Sequence, residues 1–357
     1  LGYLAGSFQG GRLYDRVAGN LLMAACLLGM ALMLAATPLI PVLWLLFVVT
    51  LVIGVGGGAV DVGGNTLLVW LHGRDAGPYM NGLHFFFGVG AFVSPLVVGQ
   101  VLRLSGDITW AYWILALVLP VAAVWLLRLP SPRAAAAGGK TAEVQEDPSP
   151  AAERLPRSRQ RLIVGLTALL LFLYVGAEAG YGGWIFTYAV ALDLSTETAA
   201  AYLTSAFWGA LTVGRLLAIP IARRVRPSRI LVADLLGCLA SVGVLLLWPH
   251  SLAATWTGTL GLGFSMASIF PTAITLAGRR IPITGQITGW FLVGASLGGM
   301  SLPWVMGRLF ALVGPWSAMA AIFVNLVVAL AVLVVLLAFS QGEGSPAAVG
   351  RTPKAAA

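Results

Sequence analysis

GVGGGAVDVGGNTLLVW, residues 54–70, places one aspartate, Asp61, near the middle of a long apolar run. Asn65 follows four residues later, so the two side chains share one face of a helix. A carboxylate at bilayer depth costs about 2.5–3.5 kcal/mol on insertion scales and usually faces a cavity or a pathway, where it has a function. The surrounding glycines let neighbouring helices approach closely. We therefore predict a functional polar site here; the alternative is a structural polar pair that seals a helix interface.

The composition of the whole chain is that of a membrane protein. Hydrophobic residues make up 59% and charged residues 10%, with a mean hydropathy of +0.92, whereas a soluble domain is about 25% charged. The net charge of +8 would suit a nucleic acid, but the basic residues lie between apolar segments and indicate membrane topology instead. Cys26 and Cys238 lie inside apolar segments and form no disulfide or metal framework. We predict an all-α protein in a lipid bilayer, with no nucleic acid partner.

Ten apolar segments approach the roughly 20 residues of a membrane-spanning helix. They cover residues 19–37, 41–70, 81–104, 109–129, 161–190, 199–220, 229–248, 252–277, 284–312 and 315–339. Residues 1–8 are typical of the end of another helix. The pattern predicts two six-helix bundles, with the first helix and most of the second missing from this sequence.

A change in composition separates the two predicted bundles. Residues 130–160 are rich in Pro, Ala, Gly and charges, which is typical of a solvated linker. The predicted organisation is an N-terminal bundle at 1–129, a linker at 130–160, a second bundle at 161–339 and a disordered tail at 340–357. Arg and Lys cluster at every second loop, so the positive-inside rule predicts that linker and tail are cytoplasmic.

The segment GGRLYDRVAGN, residues 10–20, resembles the loop between the second and third helices of the major facilitator superfamily. Gly11, Asp15 and Arg16 match its Gly, Asp and Arg, whereas its trailing basic pair is absent. The resemblance implies a gating role for these three residues. Four further blocks resemble the fucose permease branch of that superfamily: residues 57–73, 79–96, 174–190 and 207–231. The last two of these blocks, 174–190 and 207–231, also resemble the sodium-dependent glucose transporter type 1 group.

The fucose permease resemblance also implies roles for polar residues of two helices. In that branch an acidic residue in the fourth helix, followed four residues later by Asn, couples protonation to sugar binding; Asp61 and Asn65 match these positions. His84 stands where the permease has an amide side chain, and we expect it to contact the substrate. The alternative for His84 is a satisfied structural histidine.

A second acidic residue, Glu178, lies in the middle of the predicted span 161–190, among aromatic residues near helical spacing. Sugar sites combine groups that bond hydroxyls with aromatic faces for the apolar side of the ring. We therefore predict that Tyr181, Trp184 and Tyr188 bind substrate and that Glu178 binds the coupling ion. The alternative is an aromatic core stripe in which Glu178 pairs with an arginine.

Further polar residues lie in the second half of the chain. Gln286 and Trp290 share a helix face and are predicted to bind substrate; the alternative is that Gln286 lies too near the cytoplasmic end for a central site. Arg215 is predicted to form a structural or gating ion pair. Ser268, Thr272 and Thr275, near Pro271, are expected to bond backbone carbonyls and help a helix to bend. No catalytic, nucleotide-binding or metal-binding motif is present.

These observations together predict a transporter rather than an enzyme, with no cofactor. We expect a multi-pass protein of the inner membrane, monomeric, that carries a neutral sugar together with H⁺ or Na⁺ by alternating access. The sugar is expected to be a hexose. The alternatives are an exporter of small or amphipathic compounds, and a non-transporting membrane sensor or remnant.

Overall fold

The computed structural model describes residues 1–132 and 156–341. In this part of the chain twelve α-helices follow one another: α1 (Gly2–Tyr14), α2 (Gly19–Ala36), α3 (Leu43–His72), α4 (Ala76–Ser105), α5 (Thr109–Leu127), α6 (Arg157–Ala191), α7 (Glu197–Arg224), α8 (Pro227–Leu247), α9 (Leu252–Met266), α10 (Ile269–Gly278), α11 (Gly285–Val313) and α12 (Trp316–Gln341).

The helices pack as two groups. The first bundle is α1–α5, in which α1 packs on α3 and α2 packs on α3 and α5. The second bundle is α6–α12, and its core surrounds α6, with buried residues such as Leu170, Ile185 and Leu326. The bundles meet where α1 and α3 contact α11 and where α4 contacts α7 and α10. Many large apolar side chains are exposed on the outside, as lipid contact requires.

The predicted spans correspond to these helices. Within the described residues, nine helical segments are long and apolar enough to cross a membrane, and one of them, 43–90, contains α3 and the first half of α4. The predicted span 252–277 is divided into α9 and α10. The division falls where Pro271 lacks the N–H that would bond the carbonyl of Ala267 in a continuous helix.

Several boundaries differ from the prediction. Helix α1 runs to Tyr14 rather than ending near residue 8, so Gly11 lies in a helix and not in a loop. Helix α6 begins at Arg157, four residues before the predicted span, because Arg and Gln are good helix formers and extend the apolar segment. Residues 340–341 belong to α12. The rest of the predicted linker, 133–155, and of the predicted tail, 342–357, lies outside the described residues.

One end of the molecule carries the turns that follow α1, α3, α7 and α10, and we call it the basic end. The two bundles touch there: the Trp70 Nε1–H donates a hydrogen bond to the Ile283 carbonyl, at 2.7 Å, and Gly77 lies beside Ala222. The structure is therefore closed at the basic end. The arginines of these turns and of the adjoining helix ends are Arg12, Arg16, Arg74, Arg223, Arg224, Arg226, Arg229, Arg279 and Arg280.

Candidate functional site

Asp61 lies on α3, is partly buried and accepts hydrogen bonds through both carboxylate oxygens. The Tyr3 hydroxyl of α1 donates to Oδ2. The Asn65 side-chain amide donates to Oδ1 at 2.8 Å and to the Asp61 backbone carbonyl at 2.9 Å. The shared face predicted for Asp61 and Asn65 is therefore formed, and a third residue, Tyr3, completes the carboxylate environment.

A glycine brings Tyr3 to Asp61. A Cβ atom added at Gly58 would lie 2.8 Å from the backbone nitrogen and 2.9 Å from the hydroxyl oxygen of Ser7, on α1. A real side chain cannot occupy that space without moving α1 away from α3. The close packing of neighbouring helices that the glycines of this segment predict therefore holds the Tyr3 hydroxyl beside Asp61.

Asn65 connects Asp61 to α4. Its side-chain oxygen lies 3.3 Å from Nε2 of His84, which is buried with 9% exposure. An amide oxygen only accepts hydrogen bonds, so in this arrangement the imidazole carries its proton on Nε2 and donates. The His84 ring also packs edge-on against Phe270 of α10, with ring centroids 4.8 Å apart. His84 therefore links the first bundle to the second.

Arg215 continues this connection into the second bundle. Its Nη1 donates to the His84 backbone carbonyl at 3.3 Å, and its Nη2 lies 3.4 Å from Oε1 of Glu178. Both side chains of this ion pair are largely buried, with 7% exposure for Arg215 and 12% for Glu178. The pairing of Glu178 with an arginine, left open by the sequence, is present, and Arg215 forms the ion pair expected of it.

These contacts form one continuous path between the bundles, which we call the interbundle network. It begins on α1, passes through α3 and α4, and ends on α7 and α6. It includes a carboxylate from each bundle. Its members are Tyr3, Asp61, Asn65, His84, Arg215 and Glu178.

The aromatic residues of α6 are engaged by other helices. The Tyr181 hydroxyl shares a 2.7 Å hydrogen bond with Thr259 of α9. The Trp184 Nε1–H donates to the Pro303 carbonyl of α11 at 3.0 Å. Tyr188 is buried near the end of α6. In this conformation the polar atoms of Tyr181 and Trp184 hold α6 to its neighbours rather than facing the interbundle network.

Gln286 and Trp290 lie away from the interbundle network. The Thr284 side chain caps α11 by accepting from the Ile287 N–H at 3.2 Å, which places Gln286 in the first turn at the basic end, exposed. Trp290 is 44% exposed and packs edge-on against Phe8 at 5.2 Å. A spacing of four residues predicts a common helix face but not the depth of that face in the membrane. In the structure this pair lies toward the basic end of α11 rather than in the interbundle network.

The residues predicted to gate lie at the contact between α1 and α11. The Asp15 carboxylate accepts from the backbone N–H groups of Gly285 at 2.7 Å and Gln286 at 3.0 Å, the first turn of α11. A Cβ added at Gly11 would lie 2.5 Å from the Gly285 carbonyl oxygen, so the helices touch here. Arg16 is exposed in the turn after α1.

Long apolar helices in two groups, joined by a largely buried polar network, define a multi-pass helical membrane protein with a candidate site between its bundles. The family model described as Major Facilitator Superfamily matches residues 1–303. The chain belongs to this superfamily of membrane transporters, and the family predicted from the sequence is confirmed.

Two relatives carry the name of one transporter group. Sodium-dependent glucose transporter 1 of Danio rerio is 32% identical over 347 residues, which cover 86% of this chain and 56% of that protein. Sodium-dependent glucose transporter 1A of Mus musculus is 31% identical over 341 residues, which cover 86% of this chain and 78% of that protein. The chain therefore spans little more than half the length of the first of these relatives.

A solved structure has the same fold. A crystal structure of a single-residue variant of the E. coli fucose:proton symporter superimposes with a TM-score of 0.76, covering 94% of this chain and 88% of that one, at 18% sequence identity. This likeness supports the major facilitator architecture. At such low identity it transfers no residue roles.

Proposed function

We propose that this protein is a cation-coupled symporter of a neutral sugar of the hexose class, with H⁺ or Na⁺ as the coupling ion. The observation that carries the proposal is the interbundle network, which joins a largely buried carboxylate of each bundle through the contact between His84 and Arg215. Buried ionisable groups in membrane helices mark substrate and ion pathways. The names of the relatives, sodium-dependent glucose transporters at 31–32% identity, support a sugar as substrate.

Asp61 is the proposed coupling residue. Both of its oxygens accept hydrogen bonds in the structure. When a proton binds, one oxygen must become a donor, so the contact with either Tyr3 or Asn65 has to rearrange. Na⁺ would likewise occupy oxygen lone pairs. The side chain of Asn65 also forms a hydrogen bond with His84 of α4. Binding or release of an ion at Asp61 therefore alters the contact between α3 and α4.

The sugar is proposed to bind between the bundles, at Asn65, His84 and Glu178. A sugar hydroxyl both donates and accepts, so it can replace the Asn65–His84 contact and engage the Glu178 carboxylate. Tyr181 and Trp184 would support the site through their hydrogen bonds to α9 and α11, and Tyr188 through its burial in the core of the second bundle. Gln286 and Trp290 are not included in the proposed sugar site.

The gate is proposed to operate at the basic end. Alternating access requires the contacts of Asp15 with α11, of Trp70 with Ile283 and of Arg215 with the His84 carbonyl to break when that end opens. Loss of the last contact would also free Arg215 to move relative to Glu178. By the positive-inside rule the basic end faces the cytoplasm of an inner-membrane protein, so this conformation is closed to the cytoplasm.

The test is uptake of a panel of labelled hexoses by proteoliposomes containing the whole protein, under imposed H⁺ or Na⁺ gradients. We expect at least one hexose to accumulate only while the matching gradient is present. Transport of amphipathic compounds without hexose uptake would favour the exporter. Absence of any solute flux would favour a non-transporting membrane protein. Either result would refute the proposal.

A further inference from the structure

The proposed mechanism leaves one intramembrane acidic residue without a role. Asp234 lies on α8, and its Oδ2 accepts a hydrogen bond from the hydroxyl of Ser268. Within the described residues, no basic nitrogen forms a salt bridge with Asp234. A carboxylate inside a membrane protein is normally paired or placed on an ion pathway, so its surroundings indicate what it binds.

The surroundings of Asp234 offer oxygen atoms from the short junction between two consecutive helices. Ser268 is the residue at the junction of α9 and α10, and its hydroxyl bonds Asp234 instead of capping α10. Pro271 has no N–H, so the carbonyl of Ala267 lacks the partner it would have in a continuous helix. Thr272 lies one turn after Ser268 on the same face, is 3% exposed, and its hydroxyl makes no hydrogen bond within the described part of the chain.

We propose that the Asp234 carboxylate, the Ser268 and Thr272 hydroxyls and the Ala267 carbonyl bind a sodium ion between α8 and the α9–α10 junction. The donors are all oxygens, which suit a hard cation. One carboxylate balances the charge of a monovalent ion. A backbone carbonyl that lacks its helical hydrogen bond, as at an interrupted membrane helix, is a suitable ligand for Na⁺.

This site is connected to the interbundle network. Phe270 lies two residues after Ser268 and packs against the His84 ring. An ion that ties the α9–α10 junction to α8 fixes the position of Phe270 and so the position of His84. Sodium at Asp234 therefore raises the affinity for sugar, and sugar raises the affinity for sodium by the same factor. This effect is on affinity, whereas the ion released in each transport cycle is the one at Asp61. The coupling to sugar rests on the proposed function, whereas sodium binding itself does not.

Sodium binding is tested by thermal unfolding of the full chain in detergent, with NaCl replacing choline chloride at constant ionic strength. Bound ligand stabilises the folded state by mass action. We expect the Tm of the wild type and of Asp61→Asn to rise with sodium, and the Tm of the double variant Asp61→Asn/Asp234→Asn to be independent of sodium. Asp107→Asn is the matched control, because it changes an exposed loop carboxylate in the same way, and it keeps the sodium response.

A second variant tests the site independently in case Asp234→Asn does not fold. Ser268→Ala keeps the carboxylate and loses one ligand, so we expect about tenfold weaker sodium binding in the same titration. A wild-type Tm that does not respond to sodium would overturn the proposal. So would a sodium response lost in Asp61→Asn but retained in Asp234→Asn. Hexose uptake is measured separately, so either proposal can fail alone.

Discussion

Replacing Asp15 by Asn should open the basic end of the molecule. The Asp15 carboxylate caps α11 from the other bundle by accepting from the N–H groups of Gly285 and Gln286, at 2.7 and 3.0 Å. Asparagine keeps one side-chain oxygen, so it loses one of these hydrogen bonds and the negative charge at the helix N-terminus. The Thr284 cap of α11 lies within the second bundle and does not involve Asp15, so we expect the loss to fall on the closed state alone.

The size of the effect follows from these two contributions. A capping hydrogen bond at a helix N-terminus contributes about 1 kcal/mol. Loss of the charge next to the helix dipole costs about 0.5 kcal/mol more, the lower part of the usual range because Asp15 is exposed and screened by solvent. The sum of roughly 1.5 kcal/mol corresponds to about a tenfold shift toward the conformation open at the basic end.

The assay is a distance distribution between spin labels on the two sides of this contact. Ala18 and Arg280 are exposed at the basic end and can carry the labels, after the free thiols Cys26 and Cys238 are replaced by alanine. We expect Asp15→Asn to raise the ratio of long to short distances about tenfold. Hexose affinity should change less than the rate of exchange across the membrane.

Asp107→Asn is the matched control for this experiment. Asp107 also accepts from a backbone N–H, that of Thr109 at 2.9 Å, but the contact is local and exposed in the loop before α5. That hydrogen bond keeps the pKa of Asp107 below its usual value. The control should leave the label distances unchanged. Distances in Asp15→Asn equal to those of the wild type, or an equal change in both variants, would refute the reasoning.

Two further substitutions test the interbundle network. Gly58→Ala should push α1 from α3 and separate Tyr3 from Asp61, reducing hexose accumulation in proteoliposomes while leaving the protein folded; unchanged accumulation would contradict this role. Arg215→Met leaves Glu178 buried without its partner, which typically costs about 3 kcal/mol, so the Tm of this variant should fall. The double variant Arg215→Met/Glu178→Gln should recover part of that loss. A double variant no more stable than Arg215→Met would contradict the pairing.

The helices and the Asp61 face could be predicted from the sequence because both follow from local periodicity. Apolar length defines a span, and spacing by four residues places Asn65 beside Asp61, as the 2.8 Å hydrogen bond between them confirms. Glu178 and Arg215 were identified individually, and their pairing was left as an alternative.

Depth along a helix and contacts between distant residues could not be predicted in this way. Gln286 and Trp290 share a face, yet the capping of α11 places them toward the basic end. Tyr3 reaches Asp61 from 58 positions away, with no local signal. Ser268 was expected to bond a backbone carbonyl, as Thr275 does, but it bonds Asp234 instead, because only the packing of α8 on the helix junction brings that carboxylate near.

The most direct test of the account compares exchange with accumulation in proteoliposomes containing Asp61→Asn. Asparagine imitates the proton-loaded carboxyl permanently, and it removes a charged oxygen ligand if the ion is Na⁺. We expect the variant still to exchange labelled hexose between the inside and the outside. We also expect that it no longer concentrates hexose under the H⁺ or Na⁺ gradient that drives the wild type. Accumulation by Asp61→Asn at the wild-type level would contradict the central claim.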